Sequence, residues 1–168
     1  MTQLNCSQPV LGGAPCAIYV SITNKGKAAY PANGNDVVKV LWAKAQSGLS
    51  WPAPWNGAVP STGGMIALPV PIGSILPGQS KKILVNWPST PNPADYGNDG
   101  HFCLLAFIMK PGAPDFAGFQ GPDLNQNVLN WSTVAWHNIH IVPVGKKETR
   151  RRGPRELHGP CDARARPL

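Results

Sequence analysis

Charged side chains are scarce in this sequence. Asp, Glu, Lys and Arg make up 14% of its 168 residues, against about 25% in a typical soluble domain. That scarcity excludes a charge-rich coiled coil and a highly charged disordered chain. The chain contains instead 18 Gly, 19 Pro and six Trp, with 42% hydrophobic residues. This balance favours one globular all-β domain with many turns.

Long apolar runs are also absent. No segment approaches 18 uninterrupted apolar residues, so the sequence predicts no transmembrane helix. The first residues, Met-Thr-Gln-Leu-Asn-Cys, lack the charged and apolar regions of a secretory signal. The chain is therefore either a cytoplasmic protein or a piece of a longer exported one. We favour the second interpretation, which places it outside the cell or at the cell surface.

Catalytic motifs are missing as well. The sequence has no Gly-x-Ser-x-Gly elbow and no His-Glu-x-x-His zinc motif. The five acidic residues of segment 1–144 are scattered and form no evident general acid/base pair. We therefore expect a protein that is not an enzyme and that needs no cofactor.

Positive charge is concentrated at the C-terminal end. Segment 145–168 holds eight of the 15 Lys and Arg residues but only three acids, so it carries a net charge of +5 out of +7. It has no hydrophobic periodicity, and we expect it to be a disordered basic tail. Arg150, Arg151 and Arg152 are its candidate anion contacts. Nucleic acid is an expected partner only through this tail.

The longest apolar run, Gly100–Lys110, predicts a central strand. Both of its alternating faces are apolar, which is typical of a strand covered on both sides. Further strands are predicted where apolar residues alternate or cluster between turn signals, at 16–23, 37–43, 81–87 and 133–142. Segment 1–15 is expected to be an irregular lead-in, and segment 16–144 a β-sandwich.

Several turn signatures occur in a fixed order along these strands. Asn24-Lys25-Gly26 ends the first strand, Leu76-Pro77-Gly78-Gln79-Ser80 precedes a strand ending in Trp87, and Gly100-His101-Phe102 opens the central strand. An Asn-rich segment then leads into the last strand. This order resembles the CARDB family, the cell adhesion related domain found in bacteria, over roughly residues 16–143.

The resemblance implies an immunoglobulin-like antiparallel β-sandwich of about seven strands. It also implies no catalytic residues and a place within a larger exported or surface protein. The order Cys16…Trp42…Cys103 is that of immunoglobulin domains, in which a disulfide joins the sheets beside a buried Trp. A Cys16–Cys103 disulfide is therefore one candidate. The alternatives are a Cys6–Cys16 disulfide, or thiols without a bond.

Trp51 and Trp55 lie in a Pro-rich segment, Ser50-Trp-Pro-Ala-Pro-Trp-Asn-Gly57. We favour the interpretation that this loop packs over the outer face of the central strand. The alternative is that the two rings contact a carbohydrate or a protein partner.

Metal-binding patterns are weak. His137 and His140 are three apart, so on a strand they would lie on opposite faces. The segment from Asp123 to Asn127 resembles the start of a calcium loop. However, Val128 and Val134 occupy the places where such a loop needs Gly and Glu. We expect a polar turn there and no metal site.

These observations lead to one main functional hypothesis. It is a non-enzymatic adhesion, assembly or spacer module that contacts a protein partner or the neighbouring domains of a larger chain through exposed strand edges and loops. The first alternative is a carbohydrate-binding module that uses Trp51 and Trp55. The second is an assembly protein whose basic tail contacts nucleic acid.

Overall fold

A computed structural model describes residues 2–6, 10–31, 35–45, 49–59, 61–97, 99–113 and 121–143. This part of the chain contains nine strands and two short helices. They are β1 (Thr2–Cys6), β2 (Val10–Leu11), β3 (Cys16–Thr23), β4 (Val37–Lys44), β5 (Gly63–Met65), β6 (Val70–Pro71), β7 (Ser80–Trp87), α1 (Pro93–Tyr96), β8 (His101–Met109), α2 (Leu124–Asn130) and β9 (Val134–Val142).

The strands form two sheets. The smaller sheet has the antiparallel order β1-β3-β7, and the larger has the order β2-β9-β8-β4-β5, with β6 also pairing with β4. All pairs are antiparallel except β2 with β9. The first part of the chain thus contributes one strand to each sheet. This order is that of an immunoglobulin-like β-sandwich, as predicted.

The main core lies between the two sheets. Alternate residues of each long strand point into it because successive side chains of a strand point to opposite faces. Its members include Ile18 and Val20 of β3, Ile83 and Val85 of β7, and Phe102 and Leu104 of β8. The apolar positions that alternate along 16–23 and 81–87 therefore form the core-facing sides of β3 and β7.

The central strand β8 is covered on both faces, as predicted. All six residues from Phe102 to Phe107 are buried. Cys103, Leu105 and Phe107 belong to a second cluster on the outer face of the larger sheet. Leu124 of α2 and Trp55 of the loop between β4 and β5 close that cluster. A loop and a helix therefore cover the apolar outer face of the larger sheet.

Two predictions about irregular segments were wrong. Segment 1–15 contains β1 and β2, which pair with β3 and β9. With five and two residues, these strands are too short for a sequence pattern to reveal them by itself, and pairing with β3 and β9 holds them in place. The turn expected from residue 123 contains α2, because the Asp123 side chain accepts the Gln126 N–H and caps a helix. The predicted basic tail, 145–168, lies outside the described residues.

Among the described elements, no helix has both the length and the apolar character needed to cross a membrane.

Candidate functional site

The loop at 49–59, here called the cover loop, is part of the fold. Trp55 is fully buried, and Trp51 is partly buried with its ring edge-on to Phe107 at a centroid distance of 6.3 Å. The Trp51 N–H donates to the Pro122 carbonyl at 3.0 Å, which joins the cover loop to the start of α2. The packing interpretation of this loop is therefore correct.

A ligand contact through both tryptophans is not what the structure provides. Trp55 has no surface to offer a carbohydrate ring, because the outer cluster encloses it. Trp51 retains part of its surface, so a partner contact through Trp51 alone stays a prediction. The structure therefore does not support a carbohydrate-binding site that uses both rings.

A cleft of about 330 Å³ opens on the outer face of the larger sheet, beside the cover loop. It is lined by Ala45, Leu49, His101, Phe102, Cys103, Leu124, Asn125, Trp136 and Asn138. The cleft combines apolar walls with a few amide, imidazole and thiol groups. Its volume is at the lower end of the range of small-molecule pockets.

The Cys103 thiol lies buried beside this cleft. Its Sγ donates to Asn138 Oδ1 at 3.0 Å, and burial raises the pKa of Cys103 to about 11. A nucleophilic cysteine needs a lowered pKa, so this thiol has the opposite character. Cys103 therefore acts as a small buried hydrophobe with one hydrogen bond.

We expect Cys103 to resist alkylation in the folded protein. Iodoacetamide at about pH 8 should leave it unmodified in the native state and modify it in concentrated guanidinium, as read by peptide mass spectrometry. Because the thiol has its ordinary pKa of 9.0 when unfolded and about 11 when folded, stability is unaffected below pH 9. As the pH rises from 9 towards 11, the free energy of unfolding decreases, because the unfolded thiol loses its proton before the folded one. Rapid native-state alkylation would contradict this placement.

The candidate Cys16–Cys103 disulfide is not formed. Cys103 has a free thiol in the outer cluster, whereas Cys16 packs in the core between the sheets. The two residues thus lie on opposite sides of the larger sheet, and no bridge can span it. The cysteine order matched that of immunoglobulin domains. However, Cys103 lies on the outer face of β8, between the core-facing residues Phe102 and Leu104. The side chain of Cys6 lies outside the described residues.

The segment from Asp123 to Asn127, which resembles the start of a calcium loop, forms the beginning of α2. The Asp123 carboxylate accepts the Gln126 N–H at 3.1 Å, and Asn127 Nδ2 donates to the Gly121 carbonyl at 3.1 Å. Both side chains thus stabilise a helix start. Within the described ranges, no three His, Cys, Asp or Glu residues converge as a metal group. Arg150, Arg151 and Arg152 lie outside those ranges.

Among the described strands, β7 has the longest open edge. β7 pairs with β3 along its whole length, and no described strand pairs with its other side. The Asn24 N–H donates to the Gln79 carbonyl, so the backbone of residue 79 points towards β3. In an antiparallel ladder this direction alternates from one residue to the next. The backbone groups of Ser80, Lys82, Leu84 and Asn86 therefore point away from β3.

The solvent face beside this edge combines apolar and basic side chains. Tyr19 and Leu84 are cross-strand partners and are 41% and 47% exposed, so together they form an apolar patch. The exposed lysines 25, 27 and 82 lie at one end of the same sheet. Lys81 lies on the core-facing side of β7, in phase with Ile83, and its Nζ donates to the Ile72 carbonyl. We call this surface, β7 with Tyr19 and lysines 25, 27 and 82, the β7 edge. Sequence analysis predicted the strand but had no signal for its place at an edge.

The strand order defines the class: an immunoglobulin-like β-sandwich. No family model matches the chain, and no curated protein matches it. Among solved structures, it is similar to the CARDB domain of the PF1109 protein from Pyrococcus furiosus, crystallised in complex with di-metal ions. The identity is 16%, the match covers 84% of this chain and 86% of that chain, and the TM-score is 0.45. That domain carries the family name that the turn signatures resemble.

Proposed function

We propose that this protein is a non-enzymatic adhesion or assembly module of an exported or surface protein, which binds an extended protein segment along the β7 edge. The observation that carries the proposal is the open side of β7. Its eight residues span about 27 Å and include no proline, so an added strand could pair along the whole edge.

The side chains around the edge favour an acidic partner. Neither the turn at 24–28 nor β7 contains an acidic residue, and the side chains of lysines 25, 27 and 82 are exposed beside the edge. Acidic side chains on the incoming strand would meet these lysines, while an apolar one would contact Tyr19 and Leu84. Binding should therefore weaken as salt concentration rises.

A proline at Leu84 tests strand pairing directly. The Leu84 N–H points away from β3, so Leu84→Pro removes one donor from the open side and leaves the β3 ladder intact. We expect the wild-type chain to bind eight-residue alternating acidic peptides on an array. Leu84→Pro should weaken that binding about tenfold or more, since a lost edge hydrogen bond and the proline ring together cost about 1–2 kcal/mol.

Leu84→Ala is the matched control, because it keeps the backbone donor and removes only apolar side-chain atoms. It should retain most of the binding, and both variants should keep the wild-type circular dichroism spectrum. Equal binding by Leu84→Pro and the wild type would overturn the proposal, and so would an absence of binding to every alternating peptide.

A further inference from the structure

Two histidines from different strands face each other on the outer face of the larger sheet. His101 begins β8 and His140 lies near the end of β9, and the two are direct register partners. Their ring centroids are 5.1 Å apart, and both side chains are exposed. The pair lies beside the cleft, which His101 helps to line. It belongs to the opposite sheet from the β7 edge.

The backbone on both sides of the pair is held in place. The Ile141 N–H donates to the Gly100 carbonyl at 2.8 Å, and the Ala45 N–H donates to the His101 carbonyl at 3.1 Å. A Cβ at Gly100 would lie 3.0 Å from His140 Cε1, so the absence of a side chain there makes room for the imidazole ring. The histidine Cα positions are thus fixed by neighbouring backbone contacts.

The separation of the rings matches that of two imidazoles on one metal ion. A nitrogen–metal distance of about 2.0–2.1 Å places each ring centroid about 3.2 Å from the metal. With a nitrogen–metal–nitrogen angle between about 90°, as in tetragonal Ni²⁺ or Cu²⁺ sites, and about 109°, as in tetrahedral Zn²⁺ sites, the two centroids would be about 4.5–5.2 Å apart. The observed 5.1 Å therefore needs little movement of the backbone.

We infer that His101 and His140 form a two-imidazole site for a divalent transition metal ion of the Ni²⁺, Cu²⁺ and Zn²⁺ class. Imidazole nitrogen suits these ions, whereas Mg²⁺ and Ca²⁺ require oxygen ligands. Cys103 lies on the same face of β8, but its thiol is buried and donates to Asn138, so it is not a third ligand. Water completes the coordination on the solvent side.

The test is calorimetric titration of the full 168-residue chain with Ni²⁺, with Mg²⁺ as the comparison ion. Every chain in the test carries His158→Ala and Cys161→Ser, which remove the metal-binding side chains of the tail. We expect one equivalent of Ni²⁺ to bind and to raise the melting temperature. His101→Ala or His140→Ala should weaken binding at least about tenfold, because even indirect ligand changes cost about 10–100-fold.

His137→Ala is the matched control, since His137 lies on the same strand but on its other face and is also exposed. It should bind Ni²⁺ as the parent chain does. Equal loss in the His137 variant, unchanged binding in the His101 and His140 variants, or no Ni²⁺ binding by the parent would each overturn the inference. None of these outcomes bears on strand pairing at the β7 edge.

Discussion

Replacing Trp55 by alanine is expected to lower the free energy of unfolding by about 3–5 kcal/mol. The ring is fully buried among Leu41, Leu105 and Phe107 of the outer cluster. Its removal would leave a large cavity beneath the cover loop, and the β4–β8 sheet below cannot collapse to fill it. Denaturant unfolding followed by circular dichroism measures the loss.

Trp55→Phe is the informative companion variant. The indole Nε1 is buried and has no hydrogen-bond partner within the described ranges. Phenylalanine therefore keeps most of the apolar contact without sacrificing a hydrogen bond, and its cost should be clearly smaller than that of alanine. A loss below about 1 kcal/mol for Trp55→Ala would show that the cover loop does not belong to the cooperative core.

Replacing Gly100 by alanine is the second large expected effect, about 2–5 kcal/mol. The backbone there has φ of +85°, a conformation that costs an L-residue about 1–2 kcal/mol. A Cβ would also lie 2.2 Å from the Ile141 carbonyl oxygen, so the hydrogen-bonded junction of β8 and β9 would have to open. Overpacking of this kind adds about 1–3 kcal/mol.

Gly112→Ala separates the cost of the positive φ from the cost of the close contact. Gly112 has a similar φ of +75°, but no described atom lies within 4 Å of the position a Cβ would take. It should therefore show only the backbone cost of about 1–2 kcal/mol, measured in the same unfolding experiment. Equal destabilisation by the two variants would contradict the close contact at Gly100.

The two proposed contact surfaces lie on different sheets. The β7 edge belongs to the three-stranded sheet, and the histidine pair to the outer face of the six-stranded one. The sandwich core separates them, so a variant at one surface should leave the other unchanged. A module that pairs with a partner strand on one side could thus bind a metal ion independently on the other.

The cover loop shows why fold and site were unequally predictable. The sequence indicated that the Pro-rich segment at 50–57 could pack on the central strand, because both faces of that strand are apolar. It could not decide which tryptophan would be enclosed, since Trp51 and Trp55 lie in the same short Pro-rich segment and neither is marked by an alternating pattern. Only the position of α2 and of the strands below determined that Trp55 is buried and Trp51 is partly exposed.

The sequence by itself determined the five long strands, and the apolar faces of β3 and β7. Alternation along Cys16–Thr23 or Ser80–Trp87 is a local property with a period of two, so neighbouring residues alone reveal it. The tertiary structure alone decided which strands pair and in what register. It therefore placed β7 at an edge, put Cys103 outside the core and set His101 opposite His140. These outcomes depend on contacts between segments far apart in the chain, and a local pattern does not specify its partner.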